Sequence, residues 1–123
     1  MESLTASVGA ALAFGVGVAH SYLGERFILR RLLRRPDLPP LFGSDVFTRR
    51  TLRFAWHVTS IAWWGLGAVP LLLAAGASSR TIGAAVALTF GATGVVTAAA
   101  SRGRHLAWVV FLTIAAAAWY ATW

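Results

Sequence analysis

Cysteine and lysine are both absent from this 123-residue chain, and acidic residues number only four. Without cysteine there is no disulfide, no thiolate zinc site, no iron–sulfur cluster and no covalently attached c-type haem. Without lysine, all eleven permanently basic side chains are arginines. Charged residues make up 12% of the chain, against roughly 25% in an average soluble domain. A water-facing surface is hard to assemble from so few charges. A mean hydropathy of +0.68 points the same way. The length suits one domain.

What charge there is has one sign. The net charge is +7, a value also found in nucleic-acid binders. Here the arginines flank hydrophobic runs, which membrane topology explains first, so no nucleic acid is expected as a partner. The bias to Arg, with abundant Ala and Gly, matches a GC-rich bacterial genome. The N-terminus carries no positive segment ahead of its apolar run, because its charge follows instead. It therefore reads as a retained helix and not as a secretory signal.

Four apolar runs dominate: Leu4 to Tyr22, Phe54 to Ala75, Thr81 to Ala100 and Leu106 to Trp123. Each holds 18 to 22 residues free of Asp, Glu, Lys and Arg. At about 1.5 Å per residue, about 20 residues cross a hydrocarbon core of about 30 Å. Backbone groups in that core must bond internally, and no period-2 alternation suggests strands. The expected fold is all-α: an integral membrane four-helix bundle with helices over about 4–35, 45–75, 81–101 and 105–123.

Arginine placement predicts orientation. Eight arginines lie between the first and second runs, Arg102 and Arg104 lie between the third and fourth, and only Arg80 lies on the other side. Basic residues stay cytoplasmic. The prediction is a bacterial inner-membrane protein with both termini on the non-cytoplasmic side. Trp119, Tyr120 and Trp123 then anchor the outer interface, with Tyr22, Trp56 and Trp108 nearer the inner one.

The first connection is the longest. Over Phe27 to Arg35, helical spacing puts Ile28, Leu29, Leu32 and Leu33 in one arc and Arg30, Arg31, Arg34 and Arg35 outside it. This predicts a short amphipathic interfacial helix between the first and second transmembrane helices. "PDLPP" ends it, because proline lacks a donor and restricts its predecessor. Ser44 is the expected N-cap of the next helix. The segment holds eight arginines against Glu25, Asp37 and Asp45, or +5. Arg26, Arg30, Arg31, Arg34 and Arg35 are the expected contacts to anionic lipid headgroups or an acidic partner, at about 1 kcal/mol per basic residue near the surface.

In the third run, Ala87, Gly91, Gly94 and Ala98 share a face that lets a neighbouring helix approach closely. Thr89, Thr93 and Thr97 mark another face, where each hydroxyl is expected to bond its own helix carbonyl at i−4. Pro70 is expected to kink the second helix. Trp63 and Trp64 are expected to pack, with the indole N–H on a carbonyl.

All three histidines fall near the arginine-rich side: His20 and His57 at matching depth, and His105 at the start of the fourth run. Glu25 projects toward the apolar arc and needs a partner, for which Arg50, Arg53 and His57 are nearest. Three readings compete for this polar cluster. A structural clamp pairs Glu25 with Arg50 or Arg53 while the histidines bond carbonyls or Ser21. It is favoured because polar groups near a helix end are less costly than at mid-membrane. A ligand site uses His20 and His57 for haem b or a divalent metal, without any local motif such as HExxH. A small transporter or proton path is the third, with no ionisable residue at mid-membrane to support it. Nucleophilic catalysis is not expected, since no carboxylate lies in the apolar runs to orient a Ser–His pair. The expected function is a non-catalytic accessory, scaffold or interaction protein, bound to the bilayer and associating with a membrane partner or with itself. The alternative is a b-type haem or metal protein.

Overall fold

The computed structural model describes all residues, 1–123, and is all-α. It contains four helices: α1 (Glu2–Leu32), α2 (Val46–Ala74), α3 (Ser79–Ser101) and α4 (Ala107–Tyr120). The first three are long and apolar enough to cross a membrane. Helix α4 has 14 residues, a rise of about 21 Å. His105 and Leu106 belong to the turn before it, so it is shorter than the expected 105–123.

Local chemistry sets the ends. The Ser78 hydroxyl caps α3 by accepting from the Thr81 N–H at 3.2 Å. Helix α2 closes on Gly76 at φ +68°, where Ala77 N–H reaches back to the Leu72 carbonyl at 2.9 Å. Helix α3 closes the same way, with Gly103 N–H on the Ala98 carbonyl at 2.8 Å. Both are left-handed caps that satisfy final-turn carbonyls, through Gly76 in α2 and through Arg102 at φ +52° in α3. Helix α2 continues through Pro70 to Ala74.

The chain between Phe27 and Arg35 does not form a separate interfacial helix. Helix α1 runs on through a π-helical turn at Gly24–Leu29 and ends at Leu32. The wider turn adds a residue and rotates everything after it. The expected apolar arc is split as a result: Leu29 is buried and Ile28 is exposed. Ser44 is not the cap of α2 either. It closes a tight turn with Leu41, in which Phe42 and Gly43 take positive φ, and Asp45 precedes the helix. Asp45 commits its carboxylate to Arg49, and the Arg49 guanidinium also donates to the Leu33 and Arg35 carbonyls. An arginine of α2 thereby bonds the carbonyls just past the end of α1.

The helices pack in chain order. Helix α1 meets α2, α2 meets α3, and α3 meets α4, while α1 meets neither α3 nor α4. Large apolar side chains point outward along this open array, among them Leu12, Leu66 and Leu88 at 67%, 70% and 70% exposure. A protein surrounded by water rarely leaves such an area uncovered. The α3–α4 seam is built on small residues. Ala87 and Gly94 are buried, while Gly91 and Ala98 are half-buried. A methyl on Gly94 would come within 2.9 Å of Leu112, so the absence of a side chain there sets how closely α4 approaches. Thr89 and Thr93 bond their own carbonyls at i−4, at 2.8 and 2.9 Å. Thr97 is buried with its hydroxyl unpartnered.

Candidate functional site

The polar side chains of the apolar helices collect on the α1–α2 seam. Two glycines of α1 admit two indoles of α2. A Cβ on Gly17 would collide with Trp64, and one on Gly24 with Trp56. Each indole then donates to an α1 carbonyl: Trp64 to Phe14 at 3.2 Å and Trp56 to His20 at 3.0 Å. The His20 ring stacks parallel on Trp56 at 4.5 Å and returns a hydrogen bond to the Trp56 carbonyl at 3.3 Å. Trp63 packs edge-on against His20 at 4.8 Å. The seam is thus closed by the Trp56, Trp64 and His20 rings, each bonded to the opposite backbone, whereas Trp63, expected to bond a carbonyl, only packs.

Beside the rings runs a chain of polar contacts. Ser60 donates to the Gly17 carbonyl at 2.8 Å. Ser21 and Ser60 hydroxyls meet at 2.8 Å, Ser21 and His57 Nδ1 at 3.0 Å, and His57 Nε2 and Glu25 Oε2 at 3.3 Å. The other Glu25 oxygen faces Arg53 at 3.3 Å and Arg30 at 3.9 Å. Ser60 is buried, Ser21, His57 and Glu25 are half-buried, and a shallow depression of about 450 Å³ opens beside Ser21 and Glu25.

Hydrogen-bond direction fixes the protons in this chain. A hydroxyl has one proton to give. Ser60 gives its own to the Gly17 carbonyl, so Ser21 must donate to Ser60. Ser21 then accepts from His57, which places a proton on Nδ1. A neutral imidazole would present a bare Nε2 lone pair to Glu25, and the contact requires a proton between them.

That direction also decides the chemistry. Glu25, His57 and Ser21 have the order of a carboxylate–imidazole–hydroxyl triad, and a carboxylate does orient the Ser–His pair, contrary to expectation. The imidazole, however, donates to Ser21, whereas a general base must accept from its nucleophile. These contacts join α1 to α2 along the seam.

The remaining expected site residues lie elsewhere. His105 is separate from the chain. Its ring packs between Phe47 at 5.9 Å and Phe54 at 5.3 Å, with Nδ1 buried and unpartnered. His20 uses Nε2 as a donor to a carbonyl, and both His57 nitrogens are engaged. No group of three His, Asp or Glu side chains has the geometry of a metal site. Arg50 makes no ion pair and no hydrogen bond, so Arg53 alone of the two pairs with Glu25. Arg26, Arg30, Arg31, Arg34 and Arg35 are all exposed. Arg26 donates to the Tyr22 hydroxyl at 2.9 Å. Arg35 pairs with Asp37 at 2.6 Å and holds that carboxyl down at about 2. Arg49 likewise lowers Asp45.

Reading residues singly misses Ser60, Trp56 and the π turn. Ser60 lies seven residues after Arg53 on one face of α2, a spacing of two turns that places it on the Glu25 side. No spacing signal announces the π turn. No protein-family model matches the chain, and neither the curated proteins nor the solved structures include a significant match to it.

Proposed function

We propose that this chain is a small polytopic protein of the bacterial inner membrane, non-catalytic, serving as an accessory or scaffold. Its arginine-rich end lies in the cytosol against anionic lipid headgroups, and both termini lie outside. The observation that carries this reading is the distribution of charge. The end formed by the α1–α2 and α3–α4 connections holds ten arginines against Glu25, Asp37 and Asp45, which is the whole net charge of +7. At the other end Arg80 and Glu2 cancel. Positive charge retained on one side of apolar helices is the usual signature of the cytoplasmic face. An Arg-only cationic face attracts the negative inner leaflet. The hydrogen-bonded α1–α2 seam supports a role in holding shape, because its polar groups are spent on one another.

The absence of cysteine makes the test direct. Single-cysteine variants Arg34→Cys and Ala77→Cys are labelled with a membrane-impermeant thiol reagent in intact cells and in inverted vesicles. Arg34→Cys reacts only in inverted vesicles, and Ala77→Cys only in intact cells. The opposite pattern, or labelling of both from one side, overturns the reading.

A further inference from the structure

The open packing order leaves a crease where α1 and α3 flank α2 without touching each other. At the arginine-rich end this crease encloses about 500 Å³ between Leu33, the Arg49–His57 stretch of α2, and Val96 and Ala100 of α3. Specific small-ligand sites have volumes of about 300 to 1,000 Å³. We propose that it binds the phosphate headgroup of an anionic phospholipid, held by Arg50 and Arg53. This rests on the reading that the arginine-rich end lies at headgroup level.

Charge accounting points to an anion. Arg50 is half-buried, yet no carboxylate pairs with it and no acceptor takes its protons. A guanidinium offers five donors in a planar fork matched to phosphate oxygens. Arg53 gives one nitrogen to Glu25 and keeps 51% of its side chain exposed. Glu25 sets a single negative charge against Arg30 and Arg53, so it cannot neutralise the crease. Arg49 borders the crease too, but Asp45 and two carbonyls occupy it. Helix α3 contains no acidic residue, and neither does α4. No other element supplies the missing anion.

The walls point to a lipid and not to free phosphate. Leu33, Phe54, Val96 and Ala100 present an apolar surface directly below the guanidinium groups. A hydrated phosphate ion gains nothing from such a surface, whereas the glycerol and first acyl carbons of a phospholipid bury against it.

The test uses the full chain in nanodiscs of phosphatidylcholine doped with phosphatidylglycerol, and measures the phosphatidylglycerol retained after exchange into detergent. Wild type retains it over phosphatidylcholine. Arg50→Gln lowers retention about fivefold, as expected for one lost cation–headgroup contact. Arg34→Gln, exposed and off the crease, lowers it less than twofold. Val96→Phe fills the crease without touching any charge and lowers retention as Arg50→Gln does, which decides the matter should Arg50→Gln not fold. Millimolar inorganic phosphate does not compete. Equal losses in Arg50→Gln and Arg34→Gln sink the crease and leave the basic face standing. Competition by inorganic phosphate sinks the lipid assignment. No phosphatidylglycerol preference in wild type sinks both the crease and the face.

Discussion

The two outer seams of this molecule are built on opposite principles. Between α1 and α2, indole, imidazole, hydroxyl and carboxylate groups bond across the gap, and glycine serves to admit rings. Between α3 and α4, small residues let the backbones close up: a Cβ on Gly94 would meet Leu112, and one on Gly83 would meet Thr122. The first seam is directional: each bond specifies one register and one rotation. The second is held by dispersion contacts, which are individually weak and tolerate a small slide. In a medium without water, apolar side chains gain little by leaving lipid for protein. Directional bonds are then the stronger means of specifying a partner, and close approach the cheaper means of adhering to one.

The sharpest way to break the comparison is to put a methyl on a glycine of each seam. Gly24→Ala drives a Cβ into the Trp56 indole, a rigid ring that also donates to the His20 carbonyl. Expelling it loses the stack and the bond together, for about 2 to 3 kcal/mol in a reversible detergent-unfolding titration. Gly94→Ala meets the aliphatic Leu112 at 2.9 Å and the Phe111 Cβ at 3.3 Å, breaks no hydrogen bond between helices, and costs about 1 kcal/mol. Equal losses would remove the distinction between a specified seam and an adhesive one.

Next in size is Glu25→Gln, which keeps the shape and removes the charge facing Arg53, Arg30 and His57. A hydrogen bond to a charged group contributes about 1.5 to 3 kcal/mol, and partial exposure puts this one at the low end, about 1.5 kcal/mol. The same variant reports on the proton. In ¹⁵N spectra of wild type, His57 Nδ1 bears a proton. In Glu25→Gln the amide N–H₂ donates to Nε2, and Nδ1 keeps its proton. A wild-type spectrum with Nδ1 bare contradicts the donor order running from Ser60.

Smaller again is the contrast between hydroxyls. Ser60→Ala removes the donor to Gly17 and leaves Ser21 without its acceptor, for about 1 kcal/mol. Thr89→Val removes a bond the helix makes with itself and keeps the shape, so stability stays within about 0.5 kcal/mol of wild type. If Thr89→Val cost as much as Ser60→Ala, the intrahelical bonds of α3 would be holding the fold together too.

The contrast between seams explains what the sequence made legible. Helix number and placement followed from apolar length, because few charges interrupt the runs. The small-residue face of α3 followed from spacing alone, since a seam made by close approach needs only Ala and Gly at the right interval. The polar seam was half legible. Glu25 and His57 stood out as titratable groups at the end of apolar runs, and Arg53 as a partner. Ser60 did not, because a serine in an apolar helix carries no sign of where its proton goes. The π turn at Gly24–Leu29 was invisible for a related reason: its residues carry no spacing signal, and only the fold shows that Gly24 at its start admits the Trp56 ring. It also undid the amphipathic arc, which assumed uniform helical rotation. The open packing order depends on which faces meet, and hydropathy does not encode that.

The least effect is expected where the polar contacts face water. Asp37 and Asp45 pair with Arg35 and Arg49 in the connection between α1 and α2. Both carboxyls are lowered by their arginines, Asp37 from 3.8 to about 2. A carboxyl lowered on folding contributes stability that is present above its unfolded value and lost as pH falls through its folded value. For Asp37 the window is therefore from about 3.8 down to about 2. These groups are exposed, so solvent screens them and the loss is local. Hydrogen exchange over residues 36–45 should quicken as the pH falls through that window, while α3 and α4 exchange as before. Asp37→Asn should already exchange at the faster rate at neutral pH and lose most of the pH dependence. A cooperative loss of the whole fold in the same window would mean that the connection, and not the α1–α2 seam, carries the specificity of the first helix pair.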